Sequence, residues 1–374
     1  MLAVVAMSGG VDSSVAAALT AEERGPGSVV GIALRLTSSP DSSPGSSAEE
    51  SGQGAGLPPD AARKSRSCCA PDDLLDARRA AATAGIRFFV YDAQERFRAE
   101  VIDPFVAAYA RGETPNPCVR CNDHVKFDWL LSRARRLGAD SLVTGHYARI
   151  EQREGRFALL RAADAAKDQS YFLHGLTQEA LSLVRFPLGQ MTKTEVRAQA
   201  RARGLPNADK PESMEVCFVG GAGLGGYLEG QGIPAARGEI VDLAGRPVGE
   251  HAGIHRFTVG QRRGLGVSGR LPLYVAALDA GRQRVVVGTR DEVAQTSFSA
   301  RQVTWTQAAP GPLAERELQC EVQLRHRGQP LAARLCPEGD SVRVELRAPA
   351  VGVAPGQSAV FYRGDEVLGG GIIG

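Results

Sequence analysis

No stretch of the 374-residue sequence is long and apolar enough to span a membrane, although 43% of its residues are hydrophobic. The apolar opening, residues 1–6, is too short for a secretory core segment and has no basic segment before it. Both absences point to a cytoplasmic chain that meets no membrane. A strong net charge is missing too: 44 Lys and Arg against 42 Asp and Glu leave a formal +2, so the whole molecule does not announce a nucleic-acid partner. The cysteines number seven, an odd count with no sign of export. That speaks against a structural disulfide set and for metal-binding or reactive thiols. There is no convincing internal repeat. Neither GKS/GKT nor GxGxxG follows the first apolar run, which excludes a Walker A loop and a dinucleotide fingerprint.

What is present has a clear order. The length suits two or three domains. In the N-terminal half, predicted strands at 2–6, 29–34, 86–91 and 141–144 alternate with predicted helices at 12–24, 72–84, 94–110 and 126–137, and a further helix is expected at 192–203. Such alternation predicts a parallel sheet wrapped by helices, with ligands beyond the strand C-termini. Residues 37–67 are dominated by Ser, Pro, Gly and Ala and read as a mobile surface loop. After about residue 218 the texture becomes Gly-rich, and strands at 282–288, 317–324, 342–346 and 358–362 predict a small β-barrel or sandwich. Charge is also unevenly spread. Between His251 and Arg290 there are seven arginines (256, 262, 263, 270, 282, 284 and 290) against one acid, Asp279. A solvated face is the ordinary reading of such a cluster, and a phosphate-backbone contact is the other.

The sharpest motif is Ser8-Gly9-Gly10-Val11-Asp12-Ser13, between the first predicted strand and the first predicted helix. The glycines allow a tight turn with backbone amides close to an anion. The hydroxyls of Ser8 and Ser13 add donors, and the helix N-terminus adds partial positive charge. Asp12 would repel a phosphate by itself, so a bridging Mg²⁺ is implied. A capped turn that binds nothing is the plain alternative for an isolated SGG; the strand–loop–helix context favours nucleotide binding. The motif resembles the PP-loop of ATP pyrophosphatases, which split ATP into AMP and pyrophosphate.

Thr114-Pro115-Asn116-Pro117-Cys118-Val119-Arg120-Cys121 reads as a Pro-pinned loop carrying a C-x-x-C, and Cys217 adds a distant thiol. Structural zinc wants four ligands in paired clusters, a pattern this spacing lacks. A reactive role fits better, with Arg120 and Lys126 nearby in sequence.

From here the chain resembles the tRNA-specific 2-thiouridylase family over nearly its whole length. The matching segments are AMSGGVDSSVAA, DARRAAATAGI, TPNPCVRCNDHVKF, VTGHYARI, KDQSYFL, PLGQMTKTEVR, SMEVCFVG, GEHAGIHRFTVGQRRGLGV, PGQSAVFY and VLGGGII. The resemblance implies an α/β PP-loop domain of the adenine nucleotide alpha-hydrolase type at 1–218, a small central domain at 219–282 and a C-terminal β-barrel at 283–374. It implies ATP-dependent adenylation of uridine O2 at wobble position 34, then sulfur transfer from a cysteine persulfide to C2, releasing AMP and pyrophosphate. By the same resemblance Cys121 is the nucleophile and Cys217 the persulfide carrier. ATP meets Ala6, Met7, Ser8, Gly9, Gly10, Val11, Asp12 and Ser13, together with Leu34 and Gly145. The target base meets Asn116, Pro117 and Cys118 and also Lys167, Asp168 and Gln169, while His146, Arg325, His326 and Gln357 touch tRNA. The implied cofactors are ATP and Mg²⁺. The implied partners are the anticodon arm of tRNA and a persulfide donor such as a cysteine desulfurase or sulfur-relay protein.

One position departs from the pattern. Many family members carry Asp where this chain has Cys118. The change puts a general-base role for that residue in doubt. It also leaves Cys118, Cys121 and Cys217 as an alternative ligand set for an iron–sulfur cluster with one open iron. Judged alone, His146 suits a hydrogen-bonded strand-end residue, residues 167–169 an exposed charged turn, and residues 325–327 a solvated face. Cys320 and Cys336 read as inert core thiols, and Cys68 and Cys69 have no assigned role. Two rivals remain open at this point: another PP-loop adenylating enzyme, such as an amide ligase using ammonia, and a non-catalytic RNA-binding module.

Overall fold

A computed structural model describes residues 1–37, 71–212, 216–267, 270–306 and 318–374. The Ser/Pro/Gly-rich stretch, apart from Thr37, lies outside the described residues, as do Cys68 and Cys69. Short apolar runs in the first half form β1 (Leu2–Ala6), β2 (Val29–Arg35), β3 (Arg87–Asp92) and β4 (Ala139–Val143). A hairpin of β5 (Arg149–Arg153) and β6 (Arg156–Leu160) follows, then the short β7 (Val184–Arg185). Strands β3-β2-β1-β4-β7 make one sheet, and every pairing in it is parallel.

Both faces of its central strands, β2, β1 and β4, are buried, as a parallel sheet requires. Ala3 and Val5 turn to one side, against Val15 and Ala16 of helix Val11–Arg24 and Ala77 and Ala80 of helix Pro71–Thr83. Val4, Ile32 and Leu142 turn to the other, against Leu130, Leu131 and Leu181. The alternation along β1 is the two-residue period of a strand. The chain leaves β1 toward β2 on one side and later returns to β4 on the other. The loop after β1 therefore sits where the strand order reverses, the place where open α/β sheets bind ligands.

The central sheet holds β8 (Gly238–Asp242), β9 (Pro247–His251), β10 (Leu273–Asp279) and β11 (Arg284–Thr289), in the order β10-β11-β8-β9. The expected boundary at 282/283 cuts through the β10–β11 hairpin. Strand β11 pairs with both β10 and β8, and Val285 and Val287 are fully buried beside Ile240 and Val275, so β11 belongs to this sheet and not to the next domain.

The last domain contains β12 (Gln295–Trp305), β13 (Leu318–Gln323), β14 (Leu331–Glu338), β15 (Ser341–Ala350), β16 (Ser358–Arg363) and β17 (Glu366–Ile373). Pairing of β12 with both β15 and β17 closes these six into a barrel, which settles barrel against sandwich. The β5–β6 hairpin joins it from outside through Leu160 opposite Glu366. One apolar core then runs across the two domains, with Leu159, Tyr171 and Leu173 packed with Val360, Tyr362 and Val367. The barrel is thereby fixed against the sheet domain.

His174 lies in this seam, 5% exposed, with neither ring nitrogen hydrogen-bonded, and Gly370 is so close that a Cβ there would lie 2.7 Å from its Nδ1. Burial pushes its imidazole from the ordinary 6.5 down to about 4. The unfolded chain therefore takes up the proton first, and stability present above pH 6.5 is lost as the pH falls toward 4. Between pH 7 and pH 5 the loss is about 2 kcal/mol. Thermal melts of His174→Leu should show most of that acid sensitivity gone; an unchanged difference between pH 7 and pH 5 would refute the assignment.

Candidate active site

The β1 loop is built on Gly9 and Gly10. Gly9 has φ +77°, and a Cβ there would lie 2.1 Å from the carbonyl oxygen of Asp73, so a side chain is excluded on both counts. Gly10 caps helix Val11–Arg24 without a side chain, and the Ser13 hydroxyl accepts from the Ser8 amide at 3.1 Å. Gly145, just past β4, lies against the start of the same helix, where a Cβ would be 2.7 Å from the Ser13 nitrogen. Ala6 through Ser13 and Gly145 thus come together, and Leu34 lies near the C-terminal end of the neighbouring strand β2.

Around this loop runs a charged network of which sequence reasoning named only Asp12 and Lys167. Lys193 donates to both carboxylate oxygens of Asp12 at 2.7 and 2.8 Å and pairs with Glu212 at 2.8 Å. Lys167 also reaches Glu212, at 2.7 Å, and the Tyr147 hydroxyl donates to Asp12 at 2.8 Å. Burial by itself would raise Glu212, but hydrogen bonds from Lys167 and Lys193 outweigh it and hold the carboxyl at about 2. Lys210 clamps the Gly9 carbonyl and pairs with Asp73 and Asp76, and Asn207 donates to the Gly9 carbonyl at 3.0 Å and the Ser14 hydroxyl at 2.9 Å. Three lysines thus gather at the phosphate loop. Lys193 and Tyr147 do fall inside the quoted segments, which was the available signal; Lys210 and Glu212 belong to a short polar run with no motif.

The C-x-x-C is not a loop. Asn116 caps a helical turn, Pro117–Arg120, its Oδ1 accepting from the amides of Cys118 (3.2 Å) and Val119 (3.4 Å), with Pro117 at the first helical position. The run continues through a π-helical stretch, Cys121–Leu130, into helix Leu131–Arg136. Wide turns of this kind are frequent at functional sites. Cys118 is exposed, whereas Cys121 is 8% exposed. Cys121 and Cys217 belong to one apolar cluster with Leu34, Leu36, Ala93, Phe97, Trp129, Phe218 and Tyr227. Leu36 and Ala93 follow the C-terminal ends of β2 and β3. The thiols and the phosphate loop therefore share the C-terminal edge of the sheet. Arg120 is turned onto Glu100, its Nε donating to the carbonyl at 2.7 Å, and Lys126 holds Asn122 at 3.0 Å. These two cations are tied to the scaffold. Among the described residues no group of three or more His, Cys, Asp or Glu side chains is arranged to hold a metal ion.

The remaining residues divide. Asp168 is turned inward and accepts from the Ala162 and Ser170 amides, the Ser170 hydroxyl and Arg161, while Gln169 is bonded to the Tyr147 backbone. Both hold the turn, and of residues 167–169 only Lys167 faces the charged network. His146 accepts or donates through Nδ1 to Thr144 at 2.7 Å and packs between Phe127 and Phe186; burial, helped by the Lys126 charge, keeps it neutral. His326 stacks on Phe172 at 4.4 Å, and the Phe172 carbonyl accepts from Asn122. Gln357 donates to the Thr114 carbonyl at 2.9 Å. The barrel thus reaches the cysteine helix at two points, and Arg325 is exposed beside His326. Burial lifts the Cys320 thiol to about 12, as an inert thiol requires.

A two-sided parallel sheet with a Gly-Gly phosphate loop at its switch point, followed by two β domains, defines an ATP-type PP-loop enzyme with appended modules. Family models match in the same order: a tRNA methyl transferase HUP domain over residues 1–221, a tRNA methyl transferase PRC-barrel domain over 227–289 and an aminomethyltransferase β-barrel domain over 295–373. The tRNA-specific 2-thiouridylase MnmA of Geobacter metallireducens is 49% identical over 373 residues, covering 99% of this chain and 96% of that protein. Its namesake in Acidothermus cellulolyticus is 47% identical over 378 residues, covering 100% and 97%. The chain belongs to the tRNA-specific 2-thiouridylase MnmA family. A solved U34-tRNA thiolase, NcsA from Methanococcus maripaludis with its iron–sulfur cluster, covers 58% of this chain and 60% of its own at 17% identity and TM-score 0.34, too slight a likeness to carry an argument. Among the described residues no helix is long and apolar enough to cross a membrane.

Proposed function

We infer that the chain works as its family does: it is an ATP-dependent tRNA sulfurtransferase that makes 2-thiouridine, at wobble position 34, in the cytoplasm where tRNA and ATP are found. The observation that carries this reading is the common placement of Cys121 and Cys217 in one apolar cluster at the sheet edge that also carries the Gly9–Gly10 loop. An ammonia-using ligase has no need for the paired thiols, and a passive RNA-binding module has no need for the loop.

The chemical obstacle is that uridine O2 is a poor leaving group. O2 attacks the α-phosphorus of ATP, an O–P bond forms, the bond to the β-phosphate oxygen breaks and pyrophosphate departs. The loop amides, Lys167, Lys193 and Lys210 stabilise the charge on the departing group. The family's use of ATP suggests Mg²⁺, and Asp12 is the loop carboxylate that would hold it, neutralising phosphate charge when bound. Cys217 carries the donated sulfur as a persulfide. The Cys121 thiolate attacks the inner sulfur of that persulfide, a Cys121–Cys217 disulfide forms and hydrosulfide leaves. Hydrosulfide adds to C2, the C2–O2 bond breaks and AMP departs. A dry, aromatic-lined cluster shields the hydrosulfide from loss. The donor is a protein that presents a persulfide, such as a cysteine desulfurase or sulfur-relay protein. Asn116, Pro117 and Cys118 with Lys167 face the flipped base in this reading, and His146, Arg325, His326 and Gln357 lie toward the tRNA.

The central arginines are refined by their partners. Arg256 pairs with Glu229, Arg282 with Asp279 and Arg284 with Glu239, whereas Arg262 and Arg263 are exposed and have no ion-pair partner among the described residues. If those two meet the phosphate backbone, the double change Arg262→Ala with Arg263→Ala should flatten the salt dependence of tRNA affinity by up to about two units on a log–log plot. A parental slope would return them to a solvated face. The reading as a whole is tested by pyrophosphate release: tRNA should be required for it, and ammonia should not substitute.

A further inference from the structure

We propose that Cys118 is a resolving thiol, which takes the disulfide off Cys121 after each turnover and carries it to the protein surface. The inference rests on the persulfide reading above, in which every turnover leaves Cys121 joined to Cys217. That disulfide must be reduced before Cys217 can be loaded again. Of its two sulfurs, that of Cys121 lies in the cluster of Phe97, Trp129, Phe218 and Tyr227 and is only 8% exposed, so a protein reductant cannot attack it directly, whereas Cys217 is half-buried. Cys118, by contrast, is exposed.

The local geometry links the two. The Cys121 amide donates to the carbonyls of both Cys118 and Pro117, so the four residues form one closed turn, and the Asn116 cap fixes where that turn begins. Residues three apart in a helix face each other. Helical dimensions place their Cα atoms roughly 5 Å apart, inside the range a disulfide spans. An exposed thiol and a buried thiol on one turn form a relay: the first can be reached from solvent and the second can reach the reaction.

Atoms and electrons balance in two exchanges. The Cys118 thiolate attacks Cys121 Sγ, a Cys118–Cys121 bond forms, the Cys121–Cys217 bond breaks and Cys217 leaves as a thiolate ready for a new persulfide. A dithiol reductant then attacks Cys118 Sγ, Cys121 leaves as a thiolate and takes up a proton, and the reductant's second thiol closes its own disulfide. The swap of Asp for Cys at this position thereby gives the enzyme a built-in route to a bulky reductant.

The test uses full-length, iron-free protein loaded with persulfide and supplied with tRNA and ATP. With reductant withheld, thiol alkylation and peptide mass mapping of the parent should find Cys118 joined to Cys121, one link per 2-thiouridine made. In Cys118→Ser the link should be Cys121–Cys217, and the steady-state rate with a protein dithiol reductant should fall at least about tenfold, since an intramolecular step has been lost. A high concentration of dithiothreitol, small enough to enter the cluster, should restore it. Cys118→Ala with the same melting temperature as the parent guards against a folding defect. A parent whose final link is Cys121–Cys217, or a Cys118→Ser protein that keeps the parental rate and map, would overturn the proposal. So would a variant that dithiothreitol cannot rescue, because Cys118 would then act before the reset. If the parent makes 2-thiouridine with no link among the three thiols, the persulfide reading itself fails.

Discussion

Asp12→Ala is expected to lower tRNA-dependent pyrophosphate release by about 10²–10³-fold, the usual cost of losing a preorganised charge at a transition state. The carboxylate holds Lys193 through both oxygens and accepts from Tyr147, and it is the acid within the phosphate loop. Its loss removes the carboxylate that would hold Mg²⁺ and frees Lys193 to swing toward Glu212 alone. The fold should survive, because the sheet core beneath, Ala3, Val5 and Val15, does not depend on this side chain. Asp12→Asn separates the two duties: it keeps a hydrogen-bonding partner for Tyr147 while removing the charge. Folded Asp12→Ala protein that releases pyrophosphate at the parental rate would remove Asp12 from the mechanism.

Cys121→Ser and Cys217→Ser should each abolish 2-thiouridine, by at least about a thousandfold, since loss of a covalent nucleophile typically costs that much or more. Pyrophosphate release should persist in both, because adenylation precedes sulfur transfer. The two variants should also differ from each other. Cys121→Ser can still be loaded with persulfide at Cys217, whereas Cys217→Ser cannot, and mass spectrometry of the loaded proteins reads the difference of one sulfur. Persulfide on Cys121 rather than Cys217 would reverse their roles.

The parts of this account that were legible in the sequence are those with local signals. The β1 loop carried its own chemistry in Ser8-Gly9-Gly10, and the strands of the first sheet could be read from their short apolar runs. The β-rich half was harder. Strands β12, β14 and β17 were missed because Gly369, Gly370 and Gly371 and the polar residues of β12 weaken the apolar pattern, and long-range pairing supplies what local propensity lacks. Strand β11 was put in the wrong domain because its second partner, β8, lies 45 residues away and only its hairpin with β10 is local. At the site, a proline on each side of Asn116 suggested a loop, but Asn116 as a cap and Pro117 at the first position start a helix. Lys210 and Glu212 were invisible, and Lys193 went unassigned within its segment, because their role comes from where the chain returns to the loop, not from neighbours in sequence.

The central claim is that sulfur reaches uridine through Cys217 and Cys121 without a metal cluster. Nucleoside mass spectrometry of tRNA incubated anaerobically with strictly iron-free protein, ATP and a persulfide donor tests it most directly. The account predicts 2-thiouridine at a level that reconstituted iron does not raise. Product that appears only after iron is restored, and disappears again in Cys118→Ala, would contradict it.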